Sequence, residues 1–417
     1  MTSEIAVMNQ RAVALAADSA VTLIAGSTVA IRNDQRKLYN LVEGQPIGLM
    51  FYGLADMMGH PWDQLIDTYQ KKVKPKGVKH VTDYAASFTK MLDDVPELFP
   101  RERQAEEYRR LLASVYRYIF LLAEFMAENA EQEGEPPSDL VIMEAAIQEV
   151  WREYQFKEDG TPRPDLACFP PGFGAKVLSE HGAQIDELIN YAFQQFGLSK
   201  QGLTRLREIA VFCVVKDLFL EHVTGLVFGG FGTEDRYPVV TTWFVSAIVC
   251  GIAKRTQYNL DVIDGELRSK IRFFADSEAA MGFIRGIDFN LEHRLYGGMR
   301  NRMHTLVDQV VGAFGTNAQP AAREQVRAYF QQDFVPRYFD SFRRAVLEYQ
   351  QQAFINPVLQ VMEIASKKEL ADTARELVGL NIFKKRLTAQ KETVGGAVDV
   401  AVISRDGGFQ WASRQNG

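Results

Sequence analysis

Apolar positions fill the first sixty residues in short runs. "EIAVM" (4–8) alternates, "AVALAAD" (12–18) follows the turn-like "NQR", and "PIGLMFYG" (46–53) is a continuous apolar run. Alternation and short apolar runs of this kind predict β-strands, the last buried on both faces. The period then changes. In "GLADMMGHPWDQLIDTYQKK" (53–72), Leu54, Met57, Met58, Trp62, Leu65 and Ile66 recur at helical steps. That spacing predicts one helix with a single apolar stripe.

From 81 to 222 the pattern is that of long helices, as in "EEYRRLLASVYRYIFLLAEFMAENAEQ" and "LSKQGLTRLREIAVFCVVKDLFLEHV". Loops rich in Pro and Gly, such as "EGEPPSD" and "FPPGFG", separate them. Strand character returns in "TGLVFGGFG", "YPVVTTWFVSAIV", "QYNLDVIDG" and "KIRFFAD" (224–276). Helices resume at "SEAAMGFIRGI" and run through "EQVRAYFQQDFVPRYFDSFRRAVLEYQQQ" to a last amphipathic helix, "PVLQVMEIASKKELADTARELVGLNI". "AVDVAVIS", a turn at "RDGG" and "FQW" then predict a closing hairpin. Strand material at the start, middle and end, with helices between, predicts an α+β fold whose layered core carries insertions. The texture divides the chain into a first core part (2–80), a helical insertion (81–222), a second core part (223–286), a second helical insertion (287–350), and a C-terminal helix with the closing hairpin (351–417). No internal repeat is visible.

Composition narrows the function classes. The chain has 417 residues, 47% hydrophobic and 24% charged, with a formal net charge of −6. That mild acidity argues against nucleic acid as a partner. Cys168, Cys213 and Cys250 lie far apart, which gives no zinc or redox spacing and suits a reducing cytoplasm. The N-terminus lacks a basic region followed by a long apolar run, so no signal peptide is expected. "TTWFVSAIVCGIA" (241–253) is too short to span a bilayer, so no membrane is expected either. The basic run "KKVKPKGVKH" (71–80) reads as a solvated connection.

The opening "TSEIAVMNQRAVALAADSAVT" resembles the N-terminus of mature proteasome β-subunits and of the bacterial proteasome-family peptidase that works with an unfolding ATPase. Those proteins begin with a nucleophilic Thr on the first strand, reach a strand-end acid on the second, and place a Lys beyond it. Here Thr2 and Asp18 are sixteen positions apart, and Lys37 in "KLYNL" follows nineteen positions after Asp18, across a longer loop. "GLMFYGLADMM" (48–58) is similar to the family's strand-to-helix junction. "GLVFGGFGTEDRYPVVTTWFV" and "KIRFFADSEAAMGFIRG" look like its central hairpin and its following strand and helix, and "TVGGAVDVAVISRDG" (393–407) like its ending. About half of the chain takes part in the resemblance, and the helical stretches do not.

The resemblance implies a four-layer αββα sandwich of the N-terminal-nucleophile hydrolase type with two helical insertions. It implies hydrolysis of peptide or other amide bonds, with no cofactor and no metal. Assembly into a homo-oligomer, ring-shaped in the family, and an unfolding ATPase as partner come with it. The chemistry has its own logic. A free N-terminal Thr joins nucleophile and base in one residue, since its α-amine takes the proton from its own Oγ. Met1 must therefore be removed. A cation such as Lys37 lowers the pKa of that amine, and Asp18 holds Lys37 in place. Backbone N–H groups at Tyr52 and Gly53, read as the start of a helix, would face the developing oxyanion. Thr22 joins them at the substrate, with Ser277 and Thr393 as auxiliary residues.

Several positions depart from the family pattern. Ala275 stands where the family has Ser, with Ser277 two residues on. Lys391 and Val394 stand where it has Asp and Ser, leaving Glu392 and Thr393 close by. Tyr52 stands where it has Gly. Asp56 reads as a structural residue at a helix start. Two other readings stay open: a catalytically inactive proteasome-like scaffold that binds partner proteins, and an amidohydrolase of a small non-peptide amide. Other chemistries find no support. There is no H-E-x-x-H, no P-loop and no G-x-S-x-G, and Glu292, His293 and His304 read as surface or satisfied residues. The aromatic stretches around Tyr116–Phe125 and Phe330–Phe342 read as core or subunit interface.

Overall fold

The computed structural model describes residues 2–25, 28–32, 35–72, 77–133, 137–220, 222–313, 320–388 and 394–414. The fold is mixed α+β. It divides into two compact units, one of residues 1–36, 263–402 and 411–417, the other of residues 37–262 and 403–410. Compactness thus cuts the chain at different places from the changes in sequence texture.

One five-stranded sheet has the strand order Ser269–Ala275, Ser3–Asn9, Ala12–Asp18, Val398–Ser404, Gly408–Ser413. Ser3–Asn9 pairs antiparallel with both of its neighbours. Ser3–Asn9 and Ala12–Asp18 are buried along their whole length, so even Glu4 of "EIAVM" does not face water. Ile5, Val7, Ala14 and Ala16 pack on Leu370, Ala374 and Val378 of the helix Lys367–Leu387 and on Met362 of the helix Asn356–Ile364.

The single last helix expected from sequence is therefore two. Ala365 is extended (ψ 141°), and Ser366 starts the second helix with a capping box: Ser366 Oγ accepts from Glu369 N, and Glu369 Oε2 accepts from Ser366 N. "S-K-K-E" is the sequence signature of that device. Upstream, two turns of π-helix, Phe330–Phe334 and Gln351–Ile355, each precede a proline, Pro336 and Pro357. Proline lacks the N–H that the α-ladder needs, and widening the turn before it keeps the helix going.

In the second unit a fully antiparallel sheet runs in the order Ile252–Val262, Val239–Val249, Thr224–Gly230, Ile47–Gly53, Leu38–Asn40. Phe51, Leu226 and Phe228 pack on the helices Trp62–Lys72 and Val81–Met91 through Trp62, Tyr69, Tyr84 and Phe88. Four further helices, Arg101–Glu133, Asp139–Gln155, Phe173–Phe193 and Lys200–Val215, form a core of their own with Ala247, Val249 and Cys250. The first aromatic stretch belongs to that core, where Tyr116 and Phe120 pack on the Phe193 ring.

The helix expected from residue 53 begins only at Trp62. Asp56–Met57 and His60–Pro61 form a small hairpin instead, with Met58 and Gly59 both at positive φ. Asp56 Oδ1 accepts the Gly59 N–H at 2.6 Å, so Asp56 is a turn residue and not a helix start. Gly and Pro in "GHP" are the breakers that overrule the apolar period there.

Candidate functional site

Thr2 leads into a strand whose start is fixed from both sides. Its carbonyl accepts the N–H of Asp276 at 2.8 Å, and Ser3 pairs with Ala275. Ala275 sits at φ 53°, an unusual backbone for a residue with a Cβ, and this turns the chain from the strand Ser269–Ala275 into the helix Glu278–Arg285. Ser277, the auxiliary residue expected from sequence, is buried at the N-cap of that helix.

Asp18 ends the second strand and clamps the first. Its Oδ1 accepts the Ser3 N–H at 3.0 Å and its Oδ2 accepts the Gly395 N–H at 2.9 Å. Gly395 belongs to the family-like "T-V-G-G" stretch, so the carboxylate ties both ends of the chain together. An anion fits this position because both bonds come from donors.

Helix Lys367–Leu387 supplies the rest of the setting. Asn381 Nδ2 donates to Ser3 Oγ at 2.7 Å, while its Oδ1 accepts the Ala280 N–H at 2.9 Å. Lys385 Nζ forms an ion pair with Asp276 Oδ2 at 2.8 Å, and both side chains are almost wholly buried. Sequence reading missed Asn381, Lys385 and Asp276. No motif marks them; they meet only because the helix crosses the strands. Within this setting Thr2 is 6% exposed, and its Oγ1 has no hydrogen-bond partner among the described residues.

Thr2, Asp18 and Ser277 thus come together within one unit. Lys37, Tyr52 and Gly53 belong to the other. Lys37 is buried beside the strand Leu38–Asn40, and its carbonyl accepts the Phe51 N–H. Tyr52 and Gly53 end the strand Ile47–Gly53, opposite Gly225 and Thr224. With the helix starting at Trp62, no helix N-terminus stands at Tyr52–Gly53, so the dipole argument does not apply to them. Gly53 has φ 92°, and a Cβ there would lie 2.4 Å from the Val223 carbonyl oxygen, which reserves the position for glycine. Tyr52 lies with its ring over Gly225, so its bulk rests on a residue without a side chain. Thr22 of the strand Val21–Ala25 pairs with Ile31 of the strand Thr28–Arg32. Thr393 lies outside the described residues, as do Lys391 and Glu392.

Among the described residues, Glu180, His181 and Cys250 bring three potential metal-ligand atoms within 4.8 Å of one another. Arg101 already pairs with Glu180 at 2.7 Å, and burial, helped by the Glu180 charge, pushes the Cys250 thiol up to about 11. The Cys250 thiol thus favours its protonated form, Glu180 is already paired, and His181 Nδ1 lies 3.2 Å from Gln184 Oε1. Glu292, read from sequence as a surface or satisfied residue, is buried and paired with Arg285 at 2.8 Å. No family model matches the chain, and no curated protein matches it.

Proposed function

We propose that this chain is an N-terminal-nucleophile threonine hydrolase that cleaves peptide or other amide bonds through an acyl-enzyme ester on Thr2, once Met1 has been removed. One observation carries the reading: the Thr2 hydroxyl is buried, without a hydrogen-bond partner among the described residues, on a backbone pinned at both its carbonyl and the following N–H. An unsatisfied buried hydroxyl is destabilising by about 1–3 kcal/mol and calls for a reason. A nucleophile held ready for substrate supplies one.

In this reading the free α-amine of Thr2 takes the Oγ1 proton as Oγ1 attacks the scissile carbonyl carbon. The tetrahedral intermediate collapses, the same amine returns the proton to the leaving nitrogen, and the first product departs. Water, deprotonated by the amine, then attacks the ester and releases the acid. Asp18 fixes the strand that presents Thr2. To Lys37 falls the lowering of the amine pKa; Tyr52, Gly53 and Thr22 have the oxyanion and substrate roles, and Ser277 and Thr393 the auxiliary ones. The proposal includes the four-layer αββα arrangement and assembly into a homo-oligomer. Exposed Phe334, Tyr338 and Phe342 on the helices between 320 and 355 support the second of these.

Intact-mass measurement after treatment with a peptide epoxyketone tests the chemistry, because that warhead needs both Oγ and a free α-amine. The expected result is loss of Met1 and one adduct, absent in Thr2→Ala. Retained Met1 with no adduct overturns the reading.

A further inference from the structure

Between the helical core and the sheet of the second unit lies a partly open cavity of about 270 Å³. Leu111, Val115, Leu218 and Phe219 give it apolar walls, and Lys254 enters it from the strand Ile252–Val262. Lys254 is only 3% exposed. Its Nζ donates to the carbonyl of Cys213 at 2.8 Å and to that of Leu218 at 2.5 Å, and lies 4.4 Å from the Phe219 ring centroid.

All of these partners are neutral. Among the described residues no carboxylate stands within 4.0 Å of Nζ; Asp217 and Arg163 act on it from farther away and in opposite senses. An ammonium has three donors, and two are used. Burial pulls the Lys254 pKa down from 10.5 to about 8, which still leaves the group mostly charged at neutral pH. A buried charge without a counter-ion is expensive.

Capping explains part of the arrangement. Cys213 lies in the last turn of the helix Lys200–Val215, where carbonyls lack intrahelical partners and the dipole favours a cation. A capping lysine, however, normally keeps its head in water. Here the head lies at a cavity wall. Two carbonyls hold it in one orientation, as the fixed half of an anion site would be held. Two serines of the lining are tied down, Ser114 Oγ bonding His222 Nε2 at 2.9 Å and Ser246 Oγ donating to the His222 carbonyl at 2.8 Å, while Tyr118 and Tyr154 add hydroxyl-bearing rings to the wall.

We propose that this cavity binds a small monocarboxylate with an apolar body, its carboxylate on Lys254 Nζ and its body between Leu111, Val115, Leu218 and Phe219. Size sets the scale: an apolar cavity of about 150 Å³ holds benzene, so this one takes about ten heavy atoms. A phosphate ester would need more cationic partners than one, a sugar more polar wall, and an amine would meet Lys254 head on. The site is independent of Thr2, and no step of amide cleavage enters it.

Calorimetric titration of the full chain with 3-phenylpropanoate tests this, with 3-phenylpropan-1-ol and 3-phenylpropylamine as matched controls. The carboxylate is expected to bind at least tenfold more tightly than the alcohol, and the amine not detectably. Lys254→Met is expected to bring carboxylate affinity down to that of the alcohol. Val115→Phe, which fills the cavity and leaves Lys254 in place, is expected to abolish binding of both, and it carries the test where Lys254→Met does not fold. Absence of 3-phenylpropanoate binding at millimolar concentration overturns the proposal. So do equal affinities for acid and alcohol, unchanged binding in Lys254→Met, or persistence in Val115→Phe.

Discussion

Asp18 Oδ1 accepts the backbone N–H of Ser3 at 3.0 Å, so the acid at the end of the second strand holds the residue that follows the proposed nucleophile. Its other oxygen holds Gly395. Asp18→Ala leaves both N–H groups without this acceptor, each worth about 1–3 kcal/mol when buried. Urea denaturation is expected to show a loss of roughly 2–5 kcal/mol. Asp18→Asn keeps one acceptor oxygen and turns an NH₂ toward the other donor, so its loss should be intermediate. Any amide hydrolysis should fall by at least about 10²-fold in both variants, because the Thr2 backbone is no longer held in register. Full activity in Asp18→Asn would remove Asp18 from the site.

The Lys385–Asp276 ion pair is buried, and Asp276 also donates its N–H to the Thr2 carbonyl. Lys385→Met strands a buried carboxylate and is expected to lower stability by about 3–5 kcal/mol. Adding Asp276→Asn should recover most of that loss, since a neutral pair replaces an uncompensated charge. Thermal unfolding of the four proteins in the cycle measures the coupling. Additive losses would show that the pair acts only through its separate contacts.

Asp18 was singled out through the resemblance, which sets an acid sixteen positions after the Thr at a strand end; the strand end was legible, the Asp18 contacts to Ser3 and Gly395 were not. Lys385 and Asn381 were not singled out. Asn381 lies in the helix read from sequence and Lys385 just past the end at Ile382 given to it there, but which turn of the helix Lys367–Leu387 crosses Ser3 depends on packing between residues far apart in sequence. Strands were read well wherever apolar runs were short and bounded, as at Ile47–Gly53 and Thr224–Gly230. The helix at 53–72 was misplaced because Met57 and Met58 keep the helical period while Gly59 and Pro61 forbid the helix. Lys254, in "IAKRTQ", belongs to no motif and went unread in the sequence. Only the helical core over that strand buries it.

Lys37→Ala is expected to abolish turnover of any amide substrate while the protein still folds, provided Lys37 tunes the α-amine of Thr2. A steady-state assay over fluorogenic peptides and simple acyl-amides, with circular dichroism as the folding control, checks it. Near-normal kcat in Lys37→Ala would show that Thr2 is not activated by this lysine.

Lys254 also predicts a pH dependence of stability. Its folded-state pKa of about 8 lies below the 10.5 of an unperturbed lysine, with burial as the main cause. Between those values the unfolded chain holds the proton more often than the folded one, so stability rises with pH across that window. Below about pH 8 both states are protonated and the full burial penalty, roughly 3 kcal/mol, is present. Lys254→Met lacks the group. The stability of the wild type relative to that variant should therefore climb between about pH 8 and 10.5 in parallel urea titrations. A flat difference would mean that the ammonium is not desolvated in the folded chain.

Tyr52 and Gly225 face each other across paired strands, and an ideal Cβ on Gly225 would lie 2.1 Å from Tyr52 Cζ. The ring therefore covers the missing side chain, as aromatic residues do over strand glycines. Gly225→Ala pushes the ring off the sheet and is expected to be destabilising by about 1–3 kcal/mol, the usual range for overpacking. Tyr52→Ala alone exposes the glycine backbone and loses the ring's packing. In the double variant the added methyl meets no ring, so Gly225→Ala should then have almost no effect. The coupling energy from that cycle is the measurement. If Gly225→Ala is equally damaging with and without Tyr52, the ring does not rest on Gly225.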